Sequence, residues 1–428
     1  MGGTGPTAAQ LADCRFSEVR SSPCDLDRGN ARRPHGKEGV SETSEPGIDF
    51  VTAKAPDLHA RLEGMREAGA VVRARLHGEQ AWLITRHAEL RSAFKDESRF
   101  HSATIQAPLV GPTMQSMVGR EHRRNRDLIS FAFIPAAIAA ATESIVEPLA
   151  HELASELDRA GTEGCDLVSR FAHRFPAAVI TRMLGIPVHD EGQFLEWALK
   201  LFQFPWDPEG ARRAWREFTA FLRPVLAERR ASPGDDLLSV LVRVELEGER
   251  LRDEEILSFI GILYPAGSDT AFKSIGSLLY GVLTHPDVRE EALAEPSARG
   301  RIAEEAMRWE PPVALLPRRA GRDCEFGGVE IGEGEAVIFA IAGANRDPRV
   351  FERPHVFDPA RARLKDSLVF GHGPHVCLGA QLAREEMRVA LGVLLERFPG
   401  MQLADPDAVE VVGSILRGPR SLEVRLRS

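Results

Sequence analysis

The spacing of apolar positions divides the chain into helical segments and a few short strands. Apolar residues recur at helical intervals over 58–68, whereas 71–76 and 81–85 alternate like two paired strands. Short strand-like runs separated by glycine turns follow over 325–342. Helical periodicity dominates the remainder, above all over 86–96, 136–158, 171–184, 237–246 and 252–283. The pattern predicts a mainly α protein with a small β-rich region.

The first part of the chain lacks this periodicity. Residues 2–46 are rich in Gly, Ser, Arg and Glu, a composition that cannot bury enough apolar surface to fold. We therefore expect a disordered extension over 1–46 and one folded domain over 47–428. No run of about 18 apolar residues is present, and the first ten residues lack the pattern of a secretory leader. We expect a cytoplasmic protein without a membrane anchor.

Composition narrows the class of protein. The chain has 428 residues, of which 43% are hydrophobic and 27% charged, as in a globular protein with a large core. The net charge of −9 argues against non-specific nucleic-acid binding. The cysteines are odd in number and scattered, which fits a reducing compartment better than a disulfide framework or a zinc site: Cys14, Cys24, Cys165, Cys324 and Cys377.

One cysteine lies in a glycine-rich stretch, residues 370–379, immediately before an amphipathic segment over 380–398. A sulfur close to a helix N-terminus is stabilised as the thiolate by the helix dipole. The glycines allow the backbone to approach a large flat group, and thiolate ligation of haem iron favours O–O cleavage. A lone cysteine, however, is more often a buried structural residue. The spacing alone leaves both interpretations open.

The whole stretch is more specific. Its pattern Phe-Gly-x-Gly-x-His-x-Cys-x-Gly resembles the haem-ligand loop of the cytochrome P450 family. The resemblance implies the P450 fold, with haem b between the long central helix and the cysteine helix. It implies that the Cys377 thiolate is the axial iron ligand and that Phe370 packs near the sulfur side of the haem. His375 would contact a haem propionate, and Gly379 would also belong to the haem-binding residues.

The longest helical segment contains Pro265, followed by Ala266-Gly267-Ser268-Asp269-Thr270. Proline and glycine inside a helix predict a kink or an opened turn, although small residues also serve helix crossings. The resemblance implies that this segment lies over the haem. Ala266 and Gly267 would leave room for dioxygen, Thr270 would hydrogen-bond the bound oxygen, and Asp269 would relay protons to it.

Three further cations match family positions. His122 and Arg126 are four residues apart and share a helix face, which in isolation would indicate a solvated basic surface. The resemblance implies that both bind a haem propionate, since cations compensate carboxylates at the edge of a buried group. Arg318, rather than Arg319, best fits the position that binds the second propionate.

Glu305 and Arg308 form a Glu-x-x-Arg pattern that alone indicates only a surface ion pair. The resemblance implies a buried structural pair with a downstream arginine, which we assign to Arg346. Residues expected to line the substrate pocket are apolar and favour a neutral hydrophobic ligand such as a terpenoid, steroid, polyketide or aromatic compound: Ile105, Ile262, Pro265, Val313, Leu315 and Ile415.

The resemblance implies a monooxygenase that inserts one oxygen atom from O2 into a hydrophobic small molecule, by hydroxylation or epoxidation. No flavin domain is expected after Cys377, so a ferredoxin or flavodoxin with its reductase would supply electrons. It would dock on a local basic face: Arg123, Arg124, Arg361, Arg363 and Lys365. The alternatives are a peroxide-driven peroxygenase, a non-catalytic haem-binding sensor and a metal-free structural protein. The Asp269–Thr270 pair argues against the first two.

Overall fold

The computed structural model describes residues 55–76, 78–102, 107–159, 164–186, 191–202, 204 and 207–426. The expected disordered extension, its boundary at residue 47 and the pocket candidate Ile105 lie outside these ranges. The described part is mainly helical with several small sheets, which confirms the predicted fold class.

The helices follow the predicted periodic segments closely, because each presents an apolar face to a common core. In chain order they are α1 (Leu58–Ala68), α2 (His87–Ala93), α3 (Ala107–Val110), α4 (Gly119–Ser130), α5 (Pro135–Ala141), α6 (Glu147–Arg159), α7 (Arg174–Met183), α8 (Glu191–Phe202), α9 (Pro208–Ala231), α10 (Leu237–Arg243), α11 (Asp253–Thr284), α12 (Pro286–Ala294), α13 (Arg299–Trp309), α14 (Ile341–Ala344) and α15 (Ala380–Arg397). Short π-helical turns at Thr142–Val146 and Val168–Ala172 precede α6 and α7.

The strands form one five-stranded sheet and several smaller ones. They are β1 (Val71–Leu76), β2 (Glu79–Ile84), β3 (Phe100–Ser102), β4 (Cys165–Asp166), β5 (Glu245–Leu246), β6 (Glu249–Arg250), β7 (Leu316–Ala320), β8 (Cys324–Phe326), β9 (Val329–Ile331), β10 (Ala336–Phe339), β11 (Gln402–Leu403), β12 (Val411–Val412), β13 (Gly418–Pro419) and β14 (Glu423–Arg425). The main sheet has the order β1-β2-β10-β7-β3, in which only the β2–β10 pair is parallel.

Helix α11 crosses the largest apolar core, where it packs against α7, α13 and α15. Three acidic residues open its first turn, and the Glu255 carboxylate accepts the Arg252 backbone N–H at 2.8 Å, which stabilises the N-terminus. The helical backbone continues through Pro265. Pro265 therefore does not end the helix, and the predicted kink or opened turn stays a prediction.

Within the described ranges, no single helix has the length and apolar composition needed to cross a membrane. One bent pair, Gly119–Phe133 with Pro135–Arg159, meets the same length and composition test when its two parts are taken together.

Candidate active site

The loop that carries Cys377 folds against the C-terminal end of α2. Gly371 and Gly373 adopt φ values of 74° and 79°, which favour glycine. A Cβ atom at residue 373 would lie 2.9 Å from the backbone oxygen of Phe94. The Cys377 N–H donates to the Phe370 carbonyl at 2.8 Å, closing the loop just before Gly379 caps α15. The glycines thus fix the course of the backbone that presents the cysteine.

The Cys377 side chain is accessible, although its thiol lies deep within the fold. Burial raises the pKa of this thiol, while the Gly379 N–H and the cations of Arg126 and Arg384 lower it. The Arg384 guanidinium also stacks 4.5 Å from the centre of the Phe370 ring. Burial has the largest effect, so the pKa of the thiol stays above its ordinary value; the N–H and the two cations are the groups that would stabilise a thiolate bound to a metal.

His122, on α4, and His375, in the cysteine loop, stack with ring centres 3.9 Å apart. The Glu97 carboxylate links them to the start of α4, since it accepts the Gly119 N–H at 2.9 Å and lies 3.1 Å from His375 Nε2. Burial lowers the pKa of both histidines, and that of His375 falls to about 4 because nearby His122 adds to the effect. Glu97 was missed in the sequence because no motif marks it.

Arg126 and Arg318 are cations without a carboxylate partner within 4 Å in the described part of the chain. Burial lowers the pKa of Arg126, and the charge of the nearby Cys377 sulfur offsets part of this lowering. Burial also lowers the pKa of Arg318 to about 10, and its guanidinium donates to the Pro317 carbonyl at 2.9 Å. Arg319, by contrast, is exposed and pairs with Glu79 at 3.3 Å. The preference for Arg318 over Arg319 is consistent with this difference.

The residues of α11 that were predicted to handle protons lie half-buried. Thr270 Oγ1 donates to the Ala266 carbonyl at 2.6 Å. Asp269 Oδ1 lies 2.8 Å from Lys273 Nζ, and both side chains are 17% exposed. Lys273 was missed in the sequence, although its position four residues after Asp269 on a helix was a usable signal.

Gly267 faces a helix crossing. A Cβ atom at this position would lie 2.5 Å from Ile180 Cδ1, which belongs to α7. This contact favours the alternative that a small residue serves helix packing here. The predicted roles of Ala266 and Gly267 beside dioxygen remain predictions.

The Glu305–Arg308 pair is fully buried, with Nε and Oε2 2.7 Å apart. Arg308 also donates to the carbonyls of Asn345 and Pro354, both at 2.9 Å. Arg361, rather than the predicted Arg346, approaches this pair, since its Nε lies 3.5 Å from Glu305 Oε1.

Arg346 has a different set of contacts from those predicted. It donates to the Trp309 carbonyl from Nε at 3.0 Å and from a terminal nitrogen at 2.6 Å. Its assignment as the third member of the Glu305 group is therefore corrected. Arg346 and Arg361 both follow the Glu-x-x-Arg pattern within a few tens of residues. Sequence spacing therefore could not decide which of the two arginines approaches Glu305.

The residues predicted to line the substrate pocket divide into three groups. Ile262 and Pro265 are buried on α11, and Val313 and Ile415 are partly exposed. Leu315 is fully buried in the small core formed with Leu58 and Leu62 of α1, so its predicted lining role is wrong.

The family model for cytochrome P450 matches residues 56–299 and 300–416. The chain belongs to the cytochrome P450 family. It is 34% identical over 397 residues to 6-deoxyerythronolide B hydroxylase of Saccharopolyspora erythraea, covering 86% of this chain and 96% of that protein. It is also 34% identical over 380 residues to mycinamicin IV hydroxylase/epoxidase of Micromonospora griseorubida, covering 86% and 95%.

The solved structure of PksS, a P450 of the bacillaene polyketide synthase of Bacillus subtilis, superimposes with a TM-score of 0.81 at 31% identity. That match covers 87% of this chain and 97% of PksS. Membership of the P450 family identifies this chain as a monooxygenase with haem b as its cofactor. P450 enzymes of this bacterial type act on small molecules and receive electrons from redox partners.

The donor set of this P450 fits haem. Around the cysteine loop, the described part of the chain offers three kinds of group. These are the accessible thiol of Cys377, the two cations without carboxylate partners, and the buried His122 Nδ1, which has no hydrogen-bond partner. A group with one metal and two carboxylates would satisfy all of them. Cys377 would hold the iron, and His122, Arg126, Arg318 and His375 would hold the propionates.

The predicted basic docking face is largely neutralised. Arg124 pairs with Glu249 and, at 3.1 Å, with Glu255, and Arg363 pairs with Asp366 at 2.6 Å. The Arg361 side chain is buried in the Glu305 group. Of the five proposed cations, only Arg123 and Lys365 lack an ion pair within the described ranges.

Proposed function

We propose that this P450 inserts one oxygen atom from dioxygen into a neutral, hydrophobic secondary metabolite. The observation that carries the proposal is the apolar character of the described pocket candidates, Ile262, Pro265, Val313 and Ile415. Such a surface offers nothing to pair with a charged substrate, and burying an unpaired charge is costly. A relative named for 6-deoxyerythronolide B, which has no ionisable group, makes this compound the first candidate to screen.

Bound haem would supply activation of dioxygen at its iron. On the cysteine side, the Gly379 N–H and Arg126 would stabilise the Cys377 thiolate and so strengthen it as a ligand. Phe370 and Arg384 would shield the sulfur from water by stacking against each other. His122, Arg318 and His375 would orient the macrocycle through its carboxylates.

On the opposite side, α11 would supply the proton-handling groups. The Thr270 hydroxyl donates to Ala266, so its oxygen lone pairs are available to accept a hydrogen bond inside the pocket. The Asp269 carboxylate is held beside the Lys273 ammonium, near the surface. Asp269 would take protons from solvent and pass them toward Thr270, its neighbour in the sequence.

The decisive test is the absorption spectrum of the reduced, carbon monoxide-bound protein. We expect a strongly red-shifted Soret band in the wild type and its loss in Cys377→His. Cys324→Ser, which removes a half-buried cysteine from β8, is the matched control and should keep the band. An unchanged band in Cys377→His would refute the ligand assignment. Spin-state shifts on adding candidate compounds would then identify substrates.

We propose a ferredoxin or flavodoxin as the electron donor. Turnover of a spin-shifting compound should require the donor, its reductase and reduced nicotinamide. Equal turnover with hydrogen peroxide alone would instead support the peroxide-driven alternative. Because most cations of the predicted docking face are paired, we expect the Arg124→Ala variant to change the apparent KM for the donor less than about twofold.

A further inference from the structure

Glu310 lies at the centre of a buried group of charges away from the cysteine loop. We call Glu310, His59, Arg346 and Arg417 the Glu310 cluster. Both carboxylate oxygens of Glu310 lie 3.0 Å from His59 Nε2, and one accepts from Arg417 Nε at 2.8 Å. The side chains of Glu310 and Arg417 are only 5% and 3% exposed. Arg346 contributes a nearby positive charge and binds the adjacent Trp309 carbonyl.

The charges of this cluster compensate one another. Burial alone would raise the pKa of Glu310, but the hydrogen bond from His59 and the cations of Arg417 and Arg346 outweigh it and hold the pKa at about 2. The carboxylate is therefore ionised throughout the ordinary pH range. Burial lowers the pKa of His59, so at neutral pH its ring is a neutral donor and the two arginines carry the positive charge. A buried pair with this many hydrogen bonds is a weak source of stability, and its best-attested role is to fix register between segments.

The segments that the cluster joins are far apart in sequence. His59 belongs to α1, Glu310 follows α13, and Arg417 lies in the C-terminal hairpin of β12 and β13. The Arg417 side chain donates to the Ala55 carbonyl at 2.8 Å and to the Gly413 carbonyl at 3.0 Å. Ala55 has a φ of 41°, a left-handed conformation that costs free energy in a residue other than glycine.

The same contacts bring two pocket candidates together. The Arg417 N–H donates to the Pro312 carbonyl at 2.9 Å, and the Ala314 N–H donates to the Ile415 carbonyl at 2.9 Å. Val313 and Leu416 form an isolated β-bridge outside the named strands. The pairing of these two segments extends over only a few residues. The Glu310–Arg417 contact, on the same two segments, adds a side-chain constraint to these backbone hydrogen bonds.

We propose that the Glu310 cluster positions the part of the substrate pocket formed by Val313 and Ile415. Glu310, Arg417 and His59 are positioning residues, since they act through the backbone that carries these two side chains. This inference rests on the proposed function, because Val313 and Ile415 matter to a substrate only if haem lies against Cys377. It assigns specificity to charged residues that no substrate would touch.

The test compares two azoles that bind haem iron and differ in size, imidazole and 4-phenylimidazole, titrated by the Soret shift of the haem-loaded protein. In Arg417→Lys, which keeps the charge but loses the forked donor geometry, we expect the Kd of 4-phenylimidazole to rise about fivefold, because its phenyl ring contacts the pocket wall. The Kd of imidazole should change less than about twofold, because it reaches only the iron. Glu310→Gln should give the same selective effect.

Arg229→Lys is the matched control. Arg229 makes a 2.6 Å contact to Asp236 and a 3.5 Å hydrogen bond to the Gly185 carbonyl, remote from the Glu310 cluster in sequence. It should leave both Kd values unchanged.

The outcomes separate this inference from the proposed function. Absence of the red-shifted carbon monoxide band in the wild type would refute the proposed function. With that band present, equal changes for both azoles, or no change for either, would overturn the positioning role. Loss of haem from Arg417→Lys but not from Arg229→Lys would also overturn it, because the cluster would then serve folding. Faster amide exchange confined to 310–316 and 411–419 in Arg417→Lys would support it.

Discussion

Single residues set the geometry of the cysteine loop, and Gly373 shows how tightly. Its φ of 79° is unfavourable for other residues, and a Cβ atom there would lie 2.9 Å from the Phe94 oxygen, a backbone atom that cannot rotate away. We expect Gly373→Ala to lower the free energy of unfolding by about 1–3 kcal/mol. Urea denaturation of the haem-loaded protein measures this loss.

Gly64 provides the control for that substitution. It lies within α1, and a Cβ atom there would meet nothing within 4 Å. Gly64→Ala should be neutral or stabilise by up to about 1 kcal/mol, since alanine is the better helix former. Equal effects of the two substitutions would show that the loop tolerates a side chain at 373.

Lys273 is the second residue with a specific expectation. Its ammonium lies 2.8 Å from the Asp269 carboxylate and orients it on α11. In Lys273→Met the carboxylate loses this partner, so proton delivery to the pocket should slow. A larger share of the dioxygen should then leave the enzyme as hydrogen peroxide. We expect the fraction of electrons recovered as hydrogen peroxide to rise about threefold. Arg61→Met, which removes an exposed ion pair of the same i, i+4 spacing with Asp57, should leave this fraction unchanged. An unaltered fraction in Lys273→Met would exclude the role.

At the scale of elements, Arg361 connects α13 to the segment that precedes the cysteine loop. Its guanidinium lies near Glu305 and donates to the Arg353 and Val356 carbonyls at 3.2 Å and 2.8 Å. Removing one partner of a buried charged group leaves the other uncompensated. We expect Arg361→Ala to destabilise the protein by about 3 kcal/mol, measured by urea denaturation.

Arg363 lies two residues further along the chain and serves as its control. It is exposed and pairs only with Asp366 within the described residues. Arg363→Ala should cost less than about 1 kcal/mol. If Arg361→Ala costs as little, the connection between Glu305 and this segment is not structural.

Helix α15, which follows the cysteine, buries the carboxyl group of Glu386. Burial raises the pKa of Glu386 to about 8, and one of its oxygens has no hydrogen-bond partner in the described part of the chain. The folded protein then binds a proton that the unfolded chain, with an ordinary pKa near 4.5, has released. Stability from this group is fully present below pH 4.5 and is lost as the pH rises toward 8.

The slope of this loss is about 1.4 kcal/mol per pH unit within that window. Glu386→Gln stays neutral at every pH, so its free energy of unfolding should depend less on pH between about 5 and 8. Thermal unfolding of both proteins across this range measures the difference. Parallel pH profiles would mean that Glu386 is ionised in the folded protein.

The elements themselves were largely predictable, because periodicity reflects a property of each segment alone. The segment predicted as helix over 252–283 is observed as Asp253–Thr284, and the strand over 71–76 has the predicted bounds. Contacts between distant segments were not predictable in this way. Leu315 faces a core built with α1, and Arg361 replaces Arg346 beside Glu305, because tertiary packing decides both.

At the scale of the whole molecule, the resemblance identified the family because its motifs are short, ordered and chemically specific. It could not identify a docking surface for the electron donor. Charge counting suggested five cations, but acidic residues from other elements neutralise Arg124 and Arg361, and Asp366, three residues along the chain, pairs with Arg363. A surface potential depends on such pairings, which the sequence does not display.

The parallel pairing of β2 with β10 has a consequence for synthesis of the chain. Ala81 pairs with Ala336, so β2 must wait for a partner that the ribosome makes much later. At about 5–20 residues per second the delay is on the order of ten seconds or more. During this delay, the β1–β2 hairpin presents an unpaired strand edge that can pair with other nascent chains. Yield in recombinant hosts should therefore depend on how well holdase chaperones cover this edge during translation.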